Sequence, residues 1–108
     1  MEEQQSQDEQ MTQEHVRQEP LNVTDLALWM VEEMQAQAWI KMGLWKDPLS
    51  GELQTDLRQA KIAIDCVGAL IGVLKPHLSE AQRRDLERLL TDLRFNFVER
   101  SAEAPSGQ

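Results

Sequence analysis

Cys66 is the one thiol in this chain, and His15 and His77 are its only imidazoles. A reactive thiolate needs nearby positive charge and exposure to solvent. Cys66 instead follows Ile62 and Ile64 and precedes Val67, Ala69 and Leu70, so the sequence favours a small hydrophobe in a helix. A single cysteine also rules out a disulfide within the chain. His15 lies in an acid- and glutamine-rich leader. His77 stands in the turn Pro76–Ser79, with no cysteine or second histidine at metal spacing. Glu32 and Glu33 are adjacent, and adjacent positions on a helix point in different directions. They share a proton or a metal only with help from another chain. Met30, Met34 and Met42 could line a groove for a partner helix, but their spacing fits a core stripe better. No G-x-S-x-G, phosphate-binding glycine loop or H-E-x-x-H occurs. One chain therefore holds no nucleophile–base pair and no metal set, and the sequence predicts a non-enzyme without a cofactor.

Charge narrows the partners. The 108 residues carry a formal net charge of −8. Residues 1–20 hold six acids and one arginine, and the body holds thirteen acids and ten bases. That balance opposes a phosphate backbone or an anionic membrane surface. Arg83, Arg84, Arg88, Arg94 and Arg100 are interleaved with acids, the pattern of a solvated helix face. The longest apolar run, Cys66–Leu74, is too short to span a bilayer. The start MEEQQSQDEQ lacks the features of a signal peptide, so the expected location is cytoplasmic.

Three helices can be read from the pattern. The central one is Thr55–Lys75. Leu57, Ala60, Ile64, Val67, Ile71 and Leu74 repeat with 3-4-3-4-3 spacing and predict a packed seam. Ile62, Cys66, Ala69 and Val73 repeat with 4-3-4 spacing on another face. A helix with two apolar stripes requires neighbours on both sides. Gly68 and Gly72 form a GxxxG spacing, read here as tolerated glycines beside Lys61 and Asp65. The first helix starts at Asn22 or Thr24 and stops at Gly43, a left-handed C-terminal residue. Its core stripe is Ala27, Met30, Val31, Met34, Ala38 and Met42. Trp29, Ala36 and Ile40 form a second row, flanked by Leu28 and Trp39. The connection contains turn chemistry at Asp47-Pro48 and Ser50-Gly51. Pro76 ends the central helix. Ser79 and Gln82 form a capping box for the third, which is predicted to run to about Arg100 on a narrow stripe of Leu86, Leu89, Leu90, Leu93 and Phe97. Residues 1–20 and 101–108 are expected to be disordered tails, the first acidic, leaving 21–100 as one helical domain.

The run AWIKMGLWKDPLSGELQTDLRQAKIAIDCVGAL and the later LLTDLRFNFVER resemble a bacterial family catalogued as domain of unknown function 1844. The matching positions are Met42-Gly43-Leu44, Asp47-Pro48, Asp56, Leu57, Ala60, Ile64 and Asp65, then Leu89, Leu90, Asp92, Leu93, Arg94, Phe97 and Val98. The resemblance covers about residues 22–100. It implies a small bacterial helical protein of the cytoplasm and brings no catalytic residue, cofactor or activity. Within the shared segments, Asp65 and Arg94 could pair between antiparallel helices, as a bundle-edge salt bridge or as a recognition pair.

The sequence thus predicts an all-α fold, a three-helix antiparallel bundle with the central helix between the other two. The second stripes predict a homo-oligomer or a protein partner, with Trp29, Trp39, Ile40, Ile62, Cys66 and Val73 as interface anchors. The function expected is a non-enzymatic interaction or oligomerisation module. The alternative is a binder of a small apolar ligand in a cleft lined by Trp39, Met42 and Trp45.

Overall fold

The computed structural model describes residues 20–103. Three helices follow one another: α1 (Val23–Lys41), α2 (Leu57–Leu74) and α3 (Glu80–Glu103), with a short 3₁₀ turn at Lys75–His77. The expected acidic tail falls outside the described residues, apart from Pro20.

Each helix begins where its capping chemistry places it. The Asn22 side-chain oxygen accepts from the Asp25 amide at 3.2 Å. Asp56 accepts from the Gln59 amide at 3.1 Å. The Ser79–Gln82 capping box closes in both directions at 3.1 Å. These bonds satisfy amides that have no partner inside the helix. Asp56→Ala should cost about 1 kcal/mol of stability, read as a lowered denaturation midpoint. At the far end of α1 the backbone turns left-handed at Gly43, φ +79°. The α2 helix ends at Leu74, ahead of Pro76, which sits within the 3₁₀ turn.

The α2 helix lies between the other two, which touch each other little. Its predicted seam, Leu57, Ala60, Ile64, Val67, Ile71 and Leu74, is buried throughout, with Ala63 beside it. Val31, Ala38 and Met42 of α1 and Leu93 of α3 complete the core. Leu86, Leu89, Leu90 and Phe97 are only half-buried, because α3 packs chiefly on a single helix. Met30, expected in the α1 core stripe, lies at its exposed edge.

The three helices are tied together at one end. The Asp56 amide donates to the Lys41 carbonyl at 2.7 Å. Arg100 Nε donates to the Met42 carbonyl at 2.9 Å, and its Nη1 reaches Glu103 at 3.1 Å. The last carbonyls of α1, otherwise without helical partners, are thus served by both other helices. Towards the other end, Lys75 pairs with Glu87 at 3.2 Å between α2 and α3. The third helix continues to Glu103, past the boundary at Arg100 that the sequence suggests. The Arg100–Glu103 pair lies in that added turn, and Ser101 and Ala102 do not break a helix.

Candidate interaction surface

The α2 helix carries its second apolar stripe on the side opposite the core. Ile62 is 54% exposed and Val73 is 71% exposed. Ala69 is exposed as well, and Cys66 is half-buried between them. Eleven residues at 100° each return Val73 to within about 20° of Ile62, so the stripe runs straight along the helix. Its only close charged neighbours on the helix surface are Arg58 and the Lys61–Asp65 pair, the latter closed at 2.9 Å.

Other apolar residues join the exposed surface. On α1, Val23, Leu26 and Met30 stand at i, i+3 and i+7, all exposed. Trp29 is 55% exposed, as a second-face position should be. On α3, Phe95 and Val98 are exposed one turn apart. In the connection, Leu49 is 96% exposed at the tip of a turn. The Asp47 carboxylate accepts from the Leu49 amide at 2.8 Å, and the Gly51 amide donates to the Asp47 carbonyl at 2.7 Å. That turn needs Asp, Pro, Ser and Gly; nothing in its geometry needs a leucine. Leu26 and Leu49 belong to none of the apolar stripes predicted from the sequence. A leucine at a turn tip is itself a signal of an exposed apolar contact.

Two expected anchors lie elsewhere. Ile40 is only 6% exposed and has no surface to offer a second chain, which corrects its assignment to the interface. It lies nine residues from Val31, on the opposite side of α1 and outside the central core cluster. The chain doubles back beside it: the Leu44 and Trp45 amides both donate to the Trp39 carbonyl, at 3.0 and 3.4 Å. Trp39 packs against the core and stacks on Trp45, with ring centroids 6.0 Å apart. Its indole N–H reaches the Gln35 side-chain oxygen at 3.4 Å. Of the residues expected to line an apolar ligand cleft, Met42 is thus fully buried, Trp39 is half-buried and Trp45 is 48% exposed.

The Asp65–Arg94 pair does not form. Lys61, one turn earlier on the same helix, takes the Asp65 carboxylate, and this local partner needs no tertiary alignment. The Arg94 guanidinium lies instead over Gly68, where a β-carbon would meet Nη2 at 3.2 Å and the Leu90 methyls at 3.8 Å. The two glycines are therefore different. Gly68 is approached by α3, whereas a β-carbon at Gly72 meets nothing within 4 Å. Both border an open cleft of about 430 Å³ between α2 and α3, with Lys75, Glu87 and Arg94 at its rim. Gly72→Ala should raise stability by about 0.5–1 kcal/mol, the gain in helix propensity. Gly68→Ala should show a smaller gain, because Arg94 must shift. Parallel urea melts of the two variants check this.

Among the described residues no cluster of three or more histidine, cysteine or carboxylate side chains could hold a metal. No helix among them is long and apolar enough to cross a membrane. No curated protein and no solved structure matches the chain. A family model described as "Domain of unknown function (DUF1844)" matches residues 24–99, a span from the first turn of α1 to the end of the α3 core stripe. By that match, over most of its length, the chain belongs to the domain of unknown function 1844 family.

Proposed function

We propose that this protein is a non-enzymatic interaction module that works by covering the outer face of α2 with another polypeptide. One observation carries the reading: α2 is apolar on two faces, and the fold covers only one of them. Ile62 and Val73 stand on the uncovered face at helical spacing, with Cys66 and Ala69 between. A branched side chain left in water forgoes about 1.5–3 kcal/mol of burial energy. A lone exposed apolar residue is ordinary, but a straight row of them is the mark of a contact surface. The net charge of −8 disfavours a nucleic acid as the occupant.

The test is a photo-crosslinking residue placed at Val73 in the full chain, expressed in its native cells. A control carries the same residue at Arg84, an exposed position on α3. Discrete higher-mass adducts from position 73, absent from position 84, are the expected result. If position 73 yields no more adduct than position 84, the face has no polypeptide partner and the reading is wrong.

A further inference from the structure

The partner on this face can be specified. Taking the interaction-module reading as its basis, we infer that the occupant is a second copy of the same chain. The two α2 helices run antiparallel about a two-fold axis between Cys66 and Ala69. Each α2 lies in the shallow groove between α1 and α2 of the other copy.

The pattern of the stripe is the first argument. Ile62, Cys66, Ala69 and Val73 are spaced 4-3-4, which reads the same from either end. Their sizes do too: branched, small, small, branched. A two-fold contact requires a surface that complements itself after inversion of direction. In the antiparallel register Ile62 meets the partner's Val73, and Cys66 meets the partner's Ala69. The small residues at the centre let the helix axes approach to about 8 Å, the close end of helix packing.

Charge decides the direction. A parallel alignment would set Arg58 against the partner's Arg58 and Lys61 against the partner's Lys61. The antiparallel alignment moves the two Arg58 side chains about 28 Å apart, beyond effective interaction in physiological salt. The Lys61–Asp65 pair is closed within each copy and leaves little net charge beside the seam.

Area is the third argument. Gly68 faces α3, so the opposite edge of the buried arc on α2, at Ala63, faces α1. Leu70, Gln59 and then Cys66 follow around the helix from Ala63. Right-handed winding and antiparallel order then fix which flank of α1 adjoins Cys66: the one with Leu26 and Met30. The antiparallel hairpin sets these beside Ala69 and Val73. With Val23 and Ile62 they expose apolar residues totalling on the order of 500 Å². A standard interface takes about 800 Å² from each partner, a little over half of it apolar. The stripe on α2 alone falls short of that; the groove formed with α1 reaches it.

The experiment uses the purified full chain under reducing conditions. Light scattering across a range of concentrations should show a monomer–dimer equilibrium. Ile62→Asp should weaken it at least tenfold with helix content unchanged by circular dichroism. Independently of that variant's folding, two tagged chains in a Cys66→Ser background, one Ile62→Cys and one Val73→Cys, should be joined by a short bismaleimide. Two Ile62→Cys chains should be joined far less. Preferential joining of Ile62→Cys to itself would overturn the antiparallel register. A monomer at every concentration would overturn the inference altogether. If that monomer still gives adducts from position 73 in cells, the interaction-module reading survives with a different occupant; if it gives none, both fall.

Discussion

Met42→Ala is expected to lower folding stability by about 2–5 kcal/mol, the range for truncating a buried long side chain. Met42 is among the largest fully buried side chains, and it sits at the C-terminal end of α1 with no solvent access. Its removal leaves a space that neighbours cannot easily fill, because the backbone there is held from two directions. The Asp56 amide bonds the preceding carbonyl, and Arg100 bonds the carbonyl of Met42 itself. A domain of about eighty residues has roughly 4–12 kcal/mol of stability in all. The loss is therefore a large fraction of the whole. Urea denaturation followed by far-ultraviolet circular dichroism should show the midpoint fall steeply with an unchanged slope. A shift equivalent to less than 1 kcal/mol would mean that this end of the core repacks freely.

Gly43→Ala should cost about 2–3 kcal/mol, although only a methyl group is added. Two separate effects combine. With φ at +79°, Gly43 occupies a conformation that costs an L-residue about 1–2 kcal/mol. A β-carbon there would also run into the Thr55 hydroxyl and crowd Arg100 Nη2 at 3.2 Å. Gly51→Ala separates the two effects. Gly51 has φ +73°, but nothing lies within 4 Å of its would-be β-carbon. It should therefore show the backbone cost alone. Equal losses at the two positions would show that Thr55 and Arg100 give way without cost.

Much of this fold can be read from the sequence because its signals are local. The Leu57–Leu74 seam follows from helical period, and all six of its residues are buried. Asn22, Asp56 and the Ser79–Gln82 pair announce helix starts because a cap bonds an amide three residues away. The exposed stripe of Ile62 and Val73 was legible by the same period. What the sequence could not show was tertiary. Arg100 looks like one more solvated arginine until the fold brings it, across 58 residues, to the Met42 carbonyl. Ile40 falls on the outer side of a helical wheel, yet in the fold it is only 6% exposed. Asp65 and Arg94 were matched on charge, but a partner one turn away prevailed. The two glycines differ only in which of them α3 approaches, a distinction that spacing does not encode.

The Arg100 contact has a consequence for the order in which the molecule is made. The α1–α2 hairpin is complete in sequence by Leu74, and it has its own turn, caps and most of its core. During synthesis it can pair as soon as it emerges, while the residues that finish the junction are still unmade. Through that interval the Met42 carbonyl is left to water, and the side of α2 destined for Leu90 and Leu93 is bare. The outer stripe is bare as well. A nascent hairpin thus displays two apolar surfaces of α2 at once, the outer stripe and the side that later meets Leu90 and Leu93, and α3 covers only the second. A chain stalled before Glu80 would be a two-helix unit with an unfinished end, open to capture by chaperones or by the wrong neighbour.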